Sequence, residues 1–265
     1  MAKCRYYYRT EKSREVFHKD NEDYMMHSRF SLMNDVSVDV FVIADGLGGM
    51  EDGKEASKAA ALGFMNAFYQ EIMDHYVPQR ENFTITHYCD RIKEAMIAAI
   101  KAANRKVCEN AEPGVQTGTT LSAVVLVGNY LIVGNVGDSP VYYYCAESEE
   151  MDLISTLQTK AEQDYQMGKY ERFSPEYFEN DYILVHFIGE YEELTKDIIE
   201  FHIVEQVDSG DMLLLCSDGA VGQRRPEEIV EILLQNEEKH VLRKLFDVAN
   251  RDKEDDQTAI WVKIM

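Results

Sequence analysis

Strands grouped with strands and helices with helices, in place of strict alternation, predict an α+β fold built on largely antiparallel sheet. Short runs of β-branched and aromatic residues end at turn signals such as Asp45-Gly46, Gly128-Asn129 and Gly137-Asp138. Two long stretches with apolar residues at helical spacing follow one another after the first such run. No repeat, low-complexity tract or Pro/Gly/Ser linker interrupts the sequence, so residues 1–265 are expected to form one domain.

A polar segment extends to about Tyr24, and Val38 to Ala44 then reads as a strand. A Gly-rich turn leads into a helix from about Gly53 to His75, with Ala60, Phe64, Phe68 and Ile72 at helical spacing. A second helix, from about His87 to Cys108, carries Ile92, Met96, Ile100 and Val107; the polar stretch between them contains Pro78, as in an antiparallel pair. Thr119–Val127 and Tyr130–Val136 form a hairpin about Gly128-Asn129, where glycine tolerates positive φ. Val141 to Cys145 is a third strand of this group. From Glu147 to Glu200 the periodicity fails, and fifteen Asp/Glu stand against four Lys/Arg, which predicts loops and short elements. Asp211 to Cys216 is a buried strand, helices follow at about Pro226–Leu234 and Glu238–Arg251, and Thr258–Ile264 is the last strand. Two packed sheets covered by helices would use this many strands.

The hydrophobic share of 45% and charged share of 28% are those of an ordinary globular chain. No apolar run approaches the ~20 residues a membrane helix needs. The N-terminus lacks the apolar stretch of a secretory signal, and five dispersed cysteines without a CxxC pair argue against a disulfide framework or zinc site. Both point to the cytoplasm. A formal charge of −21 disfavours nucleic acid and anionic membrane as partners. Such a charge is either a solvated surface or a set of carboxylates that converges on cations, and position decides between the two.

The positions are informative. Asp45, Asp138 and Asp218 each end an apolar run, and Asp255 lies just before the last strand. One Asp-Gly after a strand is an ordinary turn signal; four strand-edge aspartates, three beside glycine, are not explained that way. Carboxylates within ~5 Å of one another repel by about 3 kcal/mol per pair at an effective dielectric near 20. They must protonate, disperse or take up cations. Oxygen ligands without nearby His or Cys suit Mg²⁺ or Mn²⁺. The segment Gly48 to Lys54 has phosphate-loop spacing, but Glu55 replaces the required Ser/Thr, and Glu51 and Asp52 would repel phosphate.

Asn21-Glu22-Asp23, Ala44-Asp45-Gly46-Leu47-Gly48-Gly49, Thr117-Gly118-Thr119-Thr120, Val136-Gly137-Asp138-Ser139, Cys216-Ser217-Asp218-Gly219 and Asp255-Asp256-Gln257-Thr258 occur in that order. The set resembles the bacterial branch of the protein phosphatase 2C-like (PPM) family over essentially the whole chain. That resemblance implies a four-layer α/β/β/α sandwich, two antiparallel sheets flanked by helix pairs. It implies metal-dependent hydrolysis of phosphoserine and phosphothreonine in proteins, the substrates of a serine/threonine kinase, by a metal-activated water at a two-cation aspartate centre. Asp45, the Gly46 carbonyl, Asp218 and Asp255 would hold two Mg²⁺ or Mn²⁺ ions, with Glu22 and Asp23 on metal-bound waters. Asp138 with Asp218 would hold a possible third ion. The glycines after Asp45 would let the carbonyl approach the cation.

Several positions depart from the pattern. His18 stands where the family has a phosphate-gripping arginine, and is the candidate substrate-binding residue. Pro140 replaces the arginine after Gly-Asp-Ser, and Asp256 replaces an asparagine. The usual Thr-x-Asp-His segment is not recognisable near Gln158–Gln163. The alternative function is a weak or inactive phosphatase-like module with a regulatory or binding role. The acidic Glu147–Glu200 stretch is the expected recognition region.

Overall fold

The computed structural model describes residues 3–14, 20–31, 37–47, 52–75, 85–112, 114–249 and 255–265. Among them, ten strands form two antiparallel five-stranded sheets. One runs β1 (Cys4–Glu11), β10 (Gln257–Ile264), β9 (Met212–Cys216), β6 (Val141–Cys145), β7 (Glu150–Leu153); the other runs β2 (Asp23–Ser31), β3 (Ser37–Asp45), β4 (Leu121–Val127), β5 (Tyr130–Val136), β8 (Glu200–Val204).

Helices α1 (Gly53–His75) and α2 (Ile85–Asn110) cover the second sheet, with Phe64, Phe68, Met96 and Ile100 packed on Val40, Val42 and Val125. Helices α5 (Pro226–Gln235) and α6 (Val241–Ala249) cover the first, where Ile229, Leu245 and Phe246 meet Leu214 and Trp261. A third core lies between the sheets, with Phe41, Ile43, Val124 and Val133 against Leu213, Leu215, Ile260 and Val262. The alternation along β3 explains its unbroken apolar run: even positions face the helices and odd ones the opposite sheet, so both sides are buried. These are the four layers that the resemblance implies.

The polar opening segment contains β1 and the start of β2, and the irregular region contains β7 and then α3 (Lys160–Gln166) and α4 (Pro175–Phe178). The helix expected from Glu238 begins as a short 3-10 turn, Glu238–His240, before α6.

Candidate metal centre

The strand registers gather the aspartates at one end of the sandwich. Asp23 opens β2 directly opposite Asp45, which closes β3. Ser217 and Asp218 follow β9, and Asp255 precedes β10, its antiparallel neighbour. Asp138 lies on the crossing from β5 to β6, where the chain passes from one sheet to the other.

Hydrogen bonds fix this end tightly. The Thr119 hydroxyl and the Thr120 amide both donate to the Asp45 carbonyl, at 2.7 and 2.8 Å, and the Asp45 amide donates to Thr120 Oγ1 at 3.0 Å. Ser217 Oγ donates to Asp23 Oδ2 at 2.8 Å and accepts from the Thr258 amide at 2.9 Å, joining the two sheets. The Gly219 amide donates to Asp218 Oδ1 at 2.7 Å, and the Asp256 amide to Asp255 Oδ1 at 2.8 Å. Buried Asp256 accepts from the amides of Ser13 and Glu22, each at 2.6 Å, so it fastens both ends of the β1–β2 connection.

Gly46 has a packing reason beside the one its motif implies. A Cβ there would meet the Glu22 carbonyl at 2.8 Å and the Gly53 backbone still closer. Glycine is required because three chain segments cross at this point. The Glu22 side chain lies against Gly53, at the N-terminus of α1, where a negative charge is favoured.

Burial, then mutual repulsion, pushes these carboxyls up from the usual carboxylate range. Asp45 is pushed well above the usual carboxylate range by burial and by Asp23, Asp218, Asp255 and Asp138. Asp138 is raised likewise by burial and Asp218. Burial raises Asp218, and Asp45 lies close enough to share a proton with it. Asp23 is pushed up to about 7 and Asp255 to about 8, burial again leading. Among the described residues, no three of these side chains are closed around one point. The donor set nonetheless suits a hard cation: it is all oxygen, and buried Asp23 Oδ1 has no hydrogen-bond partner.

The structure therefore places Asp23, Asp45, Asp138, Asp218 and Asp255 at one end of the sandwich, with Gly46 and Glu22 beside them. His18, Gly48 and Gly49 lie outside the described residues. Sequence reasoning missed Asp181, whose carboxyl is pushed up to about 6 by burial and by Asp218. No strand end or motif marks it. Ser217 lay inside a quoted motif, but its bond to Asp23 depends on the pairing of distant strands.

The sequence model of the Protein phosphatase 2C family matches residues 18–262. Protein phosphatase PhpP of Streptococcus pneumoniae is 26% identical over 216 residues, 81% of this chain and 78% of its own length. The Streptococcus agalactiae serine/threonine phosphatase structure superposes with a TM-score of 0.74 at 20% identity, covering 99% of this chain and 100% of its own. The catalytic domain of the serine/threonine protein phosphatase PstP, in complex with two manganese ions, gives 0.68 at 23% identity and covers 100% of both chains. With nearly its whole length matched by the family's sequence pattern, this chain belongs to the protein phosphatase 2C family.

Proposed function

We propose that this chain hydrolyses phosphoserine and phosphothreonine in proteins at a centre that binds two Mg²⁺ or Mn²⁺ ions. The observation that carries the reading is that five aspartates, from both sheets, lie at one end of the sandwich, their carboxyls pushed up by burial and by one another. Asp45, the Gly46 carbonyl, Asp218 and Asp255 would hold the two ions, Glu22 and Asp23 their waters, and Asp138 with Asp218 a third. Bound cations would supply activation of a water and neutralisation of phosphoryl charge.

The protein's own part is orientation. The Gly219 and Asp256 amides aim the Asp218 and Asp255 carboxylates, Ser217 aims Asp23, and Asp256 holds the Glu22 segment over the centre. His18 would contact the substrate phosphate without the fixed, bidentate fork of the family's arginine, so a high KM beside a substantial kcat is expected. The family relationship to PhpP and the two-manganese PstP complex support this reading.

Phosphate release from a phosphopeptide panel with Mn²⁺, Mg²⁺ or chelator tests it. Turnover with metal that chelator abolishes is expected. Metal binding without turnover of any peptide would replace the enzyme with a phosphatase-like binding module, the reading that loss of the phosphate-gripping arginine at position 18 favours.

A further inference from the structure

Asp138, Asp218 and Asp255 line a cavity of about 810 Å³, and its other lining residues have a different character. Pro140, Phe173, Tyr177 and Phe178 give it apolar and aromatic walls, and Glu179 and Asp181 stand among them. Arg224 also lines it, but its guanidinium is occupied, donating to the Val248 carbonyl at 2.9 Å and pairing with Glu228 at 3.3 Å. Among the described residues, no lysine, arginine or histidine forms an ion pair with Glu179 or Asp181.

The aromatic wall is firmly built. Phe173 is held at a φ of 60°, a conformation that a bulky side chain adopts only when its surroundings enforce it. Its ring packs on Tyr177 and Phe178, with centroids 5.6 and 6.3 Å apart. Behind it, buried Glu162 pairs with Arg172 at 3.0 Å and accepts from the Tyr177 hydroxyl at 3.0 Å. Arg172 is thereby neutralised and does not answer the two open acids.

We propose that this cavity is a specificity pocket for a lysine or arginine side chain of the phosphoprotein, placed a few residues from the phosphorylated serine or threonine. The stem would lie along Phe173, Tyr177 and Phe178, and the charged head would meet Asp181 and Glu179. The proposal rests on the phosphatase reading, because the pocket is continuous with the carboxylates assigned to the metals. A long basic side chain satisfies both halves of the wall, apolar contact for its methylenes and a carboxylate for its charge. An acidic neighbour would be repelled, and a purely apolar one would desolvate the two acids without compensation.

The test is kcat/KM with Mn²⁺ for phosphopeptides that carry Lys, Ala, Glu or Phe at each position flanking the phosphoserine, with p-nitrophenyl phosphate as reference. Lysine should exceed alanine at one position by at least about tenfold, the scale of one charge-assisted hydrogen bond. Asp181→Lys should turn that preference toward glutamate, and Glu179→Gln, on an exposed side chain, should shrink the lysine-to-alanine ratio. Equal rates for lysine, alanine and glutamate at every position, or a preference for phenylalanine over lysine, overturns the pocket and leaves the phosphatase reading standing. Failure to hydrolyse p-nitrophenyl phosphate and every peptide overturns the phosphatase reading, and the pocket with it.

Discussion

Asp255 and Asp23, pushed up to about 8 and about 7, hold protons that an unfolded chain at the ordinary carboxylate value of 3.8 has released. The folded, metal-free protein therefore binds more protons than the unfolded one between those values, and its stability falls as pH rises from about 4 to about 8. Cations that replace the protons should remove that fall. Melting temperatures measured across this range in chelator and in saturating Mn²⁺ should slope differently; parallel curves would show that no such cluster exists. Asp218→Asn removes one proposed anionic ligand and part of the repulsion, so phosphate release should drop at least a hundredfold, roughly 2.7 kcal/mol or more, while the metal-free melting temperature holds or rises. Wild-type-like turnover by the folded variant sinks the assignment. At this scale Asp45, Asp138, Asp218 and Asp255 were legible because each abuts an apolar run. Asp181 was not, because its neighbours have no period and only the folded chain carries it to Asp218.

The strands that the sequence concealed share one property. β1, β7, β2 and β8 are the four sheet edges, and each pairs with a single neighbour. An edge strand buries one face partially, so its residues need not be continuously apolar: β1 reads Cys-Arg-Tyr-Tyr-Tyr-Arg-Thr-Glu with alternating exposure, whereas β4 is buried at every residue. Central strands were legible for the converse reason. The connection between β1 and β2 depends on Asp256, which offers two acceptors to two amides. Asp256→Asn keeps the shape but turns a donor toward one of them, so that hydrogen bond is lost. A loss of about 1–3 kcal/mol in urea unfolding is expected, with faster hydrogen exchange at the Glu22 amide. Unchanged exchange there would mean that the connection is held by other contacts.

On the scale of the molecule, two sheets and two helix pairs are held by three separate cores, and the centre sits where the sheets meet. Metal that binds only the native state should stabilise it by about 2.7 kcal/mol per site at a hundred times Kd. A melting temperature indifferent to both Mn²⁺ and chelator would contradict this. Layer order was legible from grouped elements, but the pairing of β1 with β10, from opposite ends of the chain, was not, because no local signal specifies so distant a partner. The proposed ligand positions run from Asp45 to Asp255 and come from both sheets, so the centre would have no existence in any half-assembled chain. Its metals should accordingly be absent from the folding transition state. Mn²⁺ should then slow unfolding by nearly its full stabilisation and leave the refolding rate almost unchanged. The ion would act as a latch on a finished structure, setting how long the protein lasts without helping it form.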